Sequence, residues 1–168
     1  MYEKFVGVDN GVSGTIAILN RDGSVECFTP VKTVSELSYT KDAKHITRIK
    51  VDWLLALFAE LTPGETRIGI ERPMINPRRF VATVSAIRAF EALAIVLDLK
   101  GLPRGEVIDS KVWQKALLPK GVSGDDLKTA SADIGKKLHP ELSDVIDKHG
   151  DADGLLIAEY MRRTSVGA

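Results

Sequence analysis

Three short runs of strand-forming residues open the chain, and a hairpin signal joins the second to the third. The runs are Phe5 to Val8, Thr15 to Leu19 and Ser24 to Phe28, and the first two are almost wholly apolar. Between the last two stands Asn20-Arg21-Asp22-Gly23, in which Asp-Gly supplies the positive-φ positions of a tight turn. These features predict three antiparallel strands at the start of the fold.

The rest of the chain alternates helical and strand patterns. Residues 32–46 are polar and lack periodicity, so we expect a loop there, and Ser123 is expected to cap the helix that follows it. The element order predicts an α/β fold whose five-stranded mixed sheet, three antiparallel strands followed by two parallel strands, is flanked by helices. The patterns place helices at 49–61, 79–98, 111–118, 125–138 and 152–161, and short strands at 67–70 and 106–108.

Length and composition suit one globular domain over residues 1–168, because 44% of the residues are hydrophobic and 27% are charged. No uninterrupted run of about 18 apolar residues occurs, so we expect no membrane partner. The first ten residues lack the build of a signal peptide, which favours a cytoplasmic location in a bacterial cell or phage-infected host. The single cysteine, Cys27, excludes an internal disulfide and a cysteine metal cluster.

The chain is electrically neutral, with 23 basic and 23 acidic residues. Many nucleic-acid-binding proteins are basic, because phosphate contacts dominate their affinity. An acidic site can cancel a basic face in the sum, so the local distribution of charge has to decide.

Three carboxylates stand at positions that a structural role explains poorly. Asp9 ends the first predicted strand, Glu71 ends the fourth, and Asp153 begins the last apolar helix. Carboxylates beside apolar cores are costly unless they are paired or bind a cation. If the two strands are neighbours and the helix packs on the sheet, the three acids meet at one place.

Each acid also has a simpler explanation. Asp9 in DNGVSG suits a turn, and Asp151 or Asp153 suits a helix N-terminus. Their joint placement favours a cluster of oxygen ligands for Mg²⁺, with Mn²⁺ as an alternative. Two such ions about 4 Å apart would support hydrolysis of a phosphodiester.

Five stretches of the sequence resemble RuvC-type Holliday-junction resolvases, over nearly the whole chain. The stretches are VGVDNGVSGTIAIL, IGIERP, VIDSKVWQKALLP, DDLKTASADIGKKLHP and HGDADGLLIAEYMRR. The resemblance implies a ribonuclease H-like fold and a homodimer that cuts four-way DNA junctions with paired nicks. It also implies that Asp9, Glu71 and Asp153 are the catalytic acids and that Lys128 contacts the scissile phosphate.

Two features depart from the family pattern. The fourth metal ligand usually precedes the last Asp by about one helical turn, where Gly150 stands here, so His149 and Asp151 are both candidates. The aromatic wedge that follows the catalytic Glu in the family is replaced by Met74, and the next aromatic residue, Phe80, could equally belong to the core.

Basic residues cluster around the predicted site and are candidates for contacts with the DNA backbone. An ordinary solvated helix face would explain any one of them equally well. The basic residues are Arg72, Arg78, Arg79, Lys111, Lys115, Lys120 and Lys128. Phe80, the aromatic neighbour of the arginines, is a further candidate for a DNA contact.

The helix at 79–98 is apolar on nearly all sides, so we expect burial on both of its faces. One face would then form a subunit interface, which suits a two-fold-symmetric dimer. The alternative is a central core helix in a monomer.

Three other functions remain open. VDNGVSGT also resembles the phosphate loop of actin-like and sugar-kinase ATPases, although those proteins need two related domains. A catalytically idle junction-binding protein would keep the fold without the cutting. Cleavage of RNA–DNA hybrids or of other branched DNA would use the same acids.

Overall fold

The computed structural model describes residues 1–39, 41 and 44–166. Its strands are β1 (Lys4–Val8), β2 (Thr15–Asn20), β3 (Val25–Pro30), β4 (Thr33–Leu37), β5 (His45–Ile49), β6 (Thr66–Glu71) and β7 (Glu106–Ile108). Its helices are α1 (Val51–Leu57), α2 (Phe80–Leu99), α3 (Ser110–Leu117), α4 (Asp126–Leu138), α5 (Ser143–His149) and α6 (Asp153–Val166), and 3₁₀ turns precede α2 and α5.

A five-stranded mixed sheet with the order β3-β2-β1-β6-β7 forms the centre of the fold. β1 pairs antiparallel with β2 and parallel with β6, while β7 pairs parallel with β6. The tight turn at the predicted position joins β2 to β3, with Gly23 at φ 91° and its N–H donating to Asn20 O. The predicted three antiparallel and two parallel strands are confirmed.

The predicted loop at residues 32–46 is wrong, because a second hairpin occupies much of it. β4 and β5 pair antiparallel over Thr33↔Ile49 to Leu37↔His45, in a separate two-stranded sheet. Every residue of β4 is exposed, so no buried face imposes an alternating pattern on its sequence. Part of the expected loop (Thr40, Asp42 and Ala43) lies outside the described residues.

Three further predictions about the helices need correction. Helix α5 went unpredicted, because its seven residues include only one buried side chain, Ile146. Ser123 does not cap α4, whose N-cap is Asp125 without a side-chain capping bond. Helix α1 ends at Leu57 rather than near residue 61.

Side chains of the sheet alternate between two apolar layers. Val6 and Val8 of β1 join the layer beneath α1 and α2, whereas Phe5 joins the layer beneath α3 to α6. β2 follows the same rule, since Ile16 and Ile18 face the first layer and Ala17 and Leu19 face the second. Helices therefore cover both faces of the sheet.

Helix α6 approaches the sheet at backbone distance. A Cβ atom on Gly7 of β1 would overlap backbone atoms of Gly154 and Ala158, and one on Gly154 would overlap Thr15. The Gly154 N–H donates to Thr15 Oγ1 at 3.0 Å, although 139 residues separate the two. Glycine at these positions lets the helix start lie directly against β1 and β2.

Helix α2 is more open than its sequence suggests. Its buried residues are Thr83, Ala89, Leu93, Val96 and Leu97. The helical stretch Pro77–Leu99 is long and apolar enough to cross a membrane, with a mean hydropathy of 1.9 and 28% of its most apolar window buried. The sequence criterion of an uninterrupted apolar run therefore missed this stretch. Within this chain only part of the surface of α2 is buried, so the alternative of a central core helix in a monomer is wrong, while a subunit interface over the exposed part stays a prediction.

We expect Gly7→Ala to lower the free energy of unfolding by about 3 kcal/mol or more, because the added methyl group forces α6 away from β1. Urea denaturation would measure the change. Gly11→Ala is the matched control, since a Cβ there would meet only Ser13 N, at an ordinary contact distance of 4.0 Å, and Gly11 has no positive φ. Equal stability of the two variants would contradict the close approach of α6.

Candidate metal centre

Two of the predicted acids lie side by side because their strands are parallel neighbours. Val8 of β1 is in register with Ile70 of β6, which places Asp9 beside Glu71 at the carboxyl ends of these strands. The Asp9 N–H donates to Thr15 O at 2.9 Å and so continues the β1–β2 pairing past the strand end. This end of a parallel pair is where open α/β sheets commonly bind ligands.

The start of α6 brings two more acids to the same place. Asp153 is the first residue of the helix, and Asp151 precedes it in the short link after α5. Ligand atoms of Asp9, Asp151 and Asp153 all lie within 4.8 Å of one another, an arrangement that could hold a metal ion. Asp151 is only 2% exposed, and a carboxylate buried to this degree needs partners for its charge.

His149 does not lie on the helix face that its spacing suggested. It is the last residue of α5, and Gly150 then takes a left-handed conformation at φ 97° before α6 begins. Its Nε2 lies 3.6 Å from Asp151 Oδ1. Asp151 therefore lies in one group with Asp9 and Asp153, whereas the His149 imidazole lies next to Asp151 and outside that group.

Two buried side chains, neither of them predicted as a site residue, hold the acids in position. Trp113 of α3 is fully buried, and its Nε1–H donates to Glu71 Oε2 at 2.9 Å. Ser131 of α4 is also fully buried, its hydroxyl donates to Asp153 Oδ1, and it accepts from the Ala152 N–H at 3.1 Å. The sequence held a signal for each of these two residues. One signal is a serine on the apolar face of a helix, and the other is a tryptophan, whose N–H needs an acceptor when it is buried.

Burial and mutual repulsion raise the pKa values of the acids. Burial is the main cause for Asp9, whose pKa lies well above its ordinary value, and the charges of Asp153 and Glu71 add to it. Burial likewise raises the pKa of Asp153 to about 6, against a hydrogen bond from Ser131 that lowers it. The pKa of Glu71 is raised by burial despite the bond from Trp113. A cation would relieve all three shifts.

Lys128 is a cationic side chain that reaches this cluster. It extends from α4 with 74% of its side chain exposed, and its Nζ lies 3.3 Å from Asp151 Oδ2. An exposed lysine stays mobile and hydrated, so it offsets only part of the buried negative charge.

The predicted basic residues lie in two parts of the surface. Arg72, whose guanidinium lies 3.4 Å from Asp109, and the exposed Arg78 and Arg79 follow Glu71. Arg72 and Arg79 line a groove of about 580 Å³ that includes Glu71 and Asn10. A second groove, of about 310 Å³, is lined by Lys111 and Lys115 of α3 and by Lys120, Leu118 and Leu127 among others.

Both candidates for the wedge position are exposed. Phe80 is the first residue of α2 and is 71% exposed, so its assignment to the core is wrong. Met74 is 72% exposed and lines the groove beside Glu71.

Comparison with solved structures identifies the fold. The chain is similar to T. thermophilus RuvC in complex with a Holliday junction substrate, with a TM-score of 0.63 over 98% of each chain and a sequence identity of 14%. No protein-family model and no curated protein sequence matches the chain. The fold is RuvC-like and belongs to the ribonuclease H-like class, which confirms the predicted fold class.

The raised pKa of Asp153 makes stability depend on pH. Because the folded-state pKa of about 6 exceeds the ordinary value of 3.8, this group contributes most below that ordinary value. Its contribution is lost as pH rises through the folded-state pKa. In metal-free buffer, we expect the wild type to lose on the order of 2 kcal/mol relative to Asp153→Asn between about pH 4 and about pH 7.

Urea denaturation across that range would measure the difference. Asp133→Asn on the exposed side of α4 serves as control, because its side chain is 58% exposed and lies outside the cluster. A difference between wild type and Asp153→Asn that stays constant with pH would contradict the buried, repelled state of this carboxylate.

Proposed function

We propose that the chain is a nuclease domain that cuts four-way DNA junctions by divalent-metal-dependent hydrolysis of phosphodiester bonds. One observation carries the proposal: β1, β6 and the start of α6 bring Asp9, Glu71, Asp151 and Asp153 to one end of the sheet. The RuvC-like fold supports the choice of substrate, because the similar structure is of RuvC in complex with a Holliday junction substrate.

The donor set fits Mg²⁺, and Mn²⁺ as well. The three grouped aspartates, with Glu71 beside Asp9 at the end of the neighbouring strand, offer carboxylate oxygens, the ligands that hard divalent cations prefer. Burial and mutual repulsion already raise the pKa values of three of them, so bound positive charge would stabilise the ionised cluster. One or two cations held there would supply Lewis-acid activation of water and stabilisation of the leaving oxygen.

The surrounding residues would position the DNA. Lys128 would contact the phosphate to be cut, since its side chain is exposed and its Nζ already faces the cluster through Asp151. Arg72, Arg78 and Arg79 on one side, and Lys111 and Lys115 on the other, would bind backbone phosphates without reading bases. Phe80, exposed at the start of α2, is the aromatic side chain there that could stack on an unpaired base.

A second copy of the chain would cover the open face of α2. Val81, Ile87, Ile95 and Leu99 are 82%, 40%, 56% and 69% exposed, which is a large apolar area for one helix. A symmetric helix-to-helix contact would bury this face in both subunits, and a two-fold axis would present two metal centres to a two-fold junction.

The deciding experiment is cleavage of a labelled four-way junction, beside linear duplex and an RNA–DNA hybrid, in Mg²⁺ and in EDTA. We expect symmetric nicks in the junction alone, and only with Mg²⁺. Binding without cutting would indicate an idle junction-binding protein, and cutting of the hybrid would indicate a ribonuclease. Turnover of ATP without DNA binding would indicate the ATPase alternative.

We expect Asp9→Asn to reduce cleavage by more than about 100-fold, because loss of residues that merely support a metal ligand already costs 10- to 100-fold. Junction binding should change little, since the basic side chains remain. Gel-shift and cleavage assays on the same preparations would measure both. Full activity of Asp9→Asn would refute the proposed centre.

We expect the wild type to have about twice its 18.3 kDa chain mass in solution, and Ile95→Glu to be monomeric. The charge would be buried against its symmetry mate in a dimer built on α2. Light scattering coupled to gel filtration measures the mass. Leu37→Glu on β4 is the control, because Leu37 is exposed to a similar degree but lies on the separate hairpin. A dimeric Ile95→Glu would place the interface elsewhere.

A further inference from the structure

Trp113 has a position that core packing alone does not require. Its ring is fully buried among the side chains of the layer beneath α3 to α6, so its orientation is held by its neighbours. An indole carries one N–H donor and no acceptor. That donor points to the edge of the core and meets Glu71 Oε2 at 2.9 Å.

The bond links two elements that are distant in sequence. Glu71 ends β6, whereas Trp113 lies 42 residues later in the middle of α3. The elements are already in register, because Glu71 pairs with Ile108 of β7 and the Arg72 N–H donates to Ile108 O at 2.8 Å. Backbone pairing thus sets the position of Glu71, and the indole sets the rotation of its carboxylate.

We propose that Trp113 is a positioning residue for Glu71, whose indole N–H holds one carboxylate oxygen so that the other stays directed to a cation shared with the aspartates. The inference rests on the proposed metal centre. A charge-assisted bond to a carboxylate is stronger than a neutral one, and a fully buried ring cannot rotate away from it. Supporting side chains of this kind orient metal ligands and tune cation affinity.

The experiment measures binding of Mg²⁺ alone, without DNA and without activity. Trp113→Phe removes the N–H donor and keeps most of the ring volume. Trp53→Phe is the matched control, because Trp53, the second tryptophan, lies on α1 against the opposite layer of the core. Calorimetric titration of each full-length chain should show about 10- to 100-fold weaker Mg²⁺ affinity for Trp113→Phe and wild-type affinity for Trp53→Phe.

Nuclear magnetic resonance of ¹⁵N-labelled wild-type protein supplies an independent measurement. The two indole N–H signals are assigned by their absence in the two variants. Addition of Mg²⁺ should move the Trp113 signal with the dissociation constant found by calorimetry and leave the Trp53 signal in place. If Trp113→Phe does not fold, this titration alone decides, and a Trp113 signal unmoved at saturating Mg²⁺ overturns the proposal.

Different results would refute the metal centre and the positioning role of Trp113. A folded Trp113→Phe that binds Mg²⁺ within twofold of the wild type would refute the positioning role and leave the metal centre intact. Absence of Mg²⁺ binding by the wild type would refute the metal centre and the positioning role together. A lower melting temperature with unchanged Mg²⁺ affinity would show that Trp113 only packs the core.

Discussion

The backbone approach of α6 to the sheet is the constraint on which the candidate centre depends. Gly7 and Gly154 remove the side chains that would separate the helix from β1 and β2. Thr15 then joins both sides, since its carbonyl accepts from the Asp9 N–H and its hydroxyl accepts from the Gly154 N–H. Asp9 and the start of α6 are therefore both bonded to Thr15, so the packing of the helix against the sheet brings Asp9 and Asp153 together.

This arrangement concentrates negative charge at one end of the sheet, and basic side chains elsewhere in the chain balance it. Burial and repulsion raise the pKa values of Asp9, Glu71 and Asp153, while Lys128 offers only an exposed counter-charge. Arginines line the groove that includes Glu71, and lysines line a second groove on α3 and the loop after it. The zero net charge of the chain thus combines a local acidic centre with basic residues elsewhere, so composition alone does not reveal how charge is distributed.

Much of the fold could be predicted because its strongest elements carry local signals. The β2–β3 hairpin, the strand before Glu71 and five of the six helices in the described part of the chain follow from turn chemistry and periodicity. The β4–β5 hairpin and α5 could not be predicted, since most of their residues are exposed and no buried face imposes a pattern. The exposed face of α2 could not be predicted either, because apolar composition does not say what covers a helix.

For the candidate centre, the sequence by itself determined which acids stand at the ends of buried elements: Asp9, Glu71 and Asp153. Strand patterns and a helix start are local, so residues a few positions apart reveal them. Only the tertiary structure placed Asp151, and not His149, in one group with Asp9 and Asp153, because the left-handed turn at Gly150 breaks the helical spacing. Only it showed Trp113 at Glu71 and Ser131 at Asp153, since contacts between residues more than 20 positions apart depend on how the helices pack against the sheet.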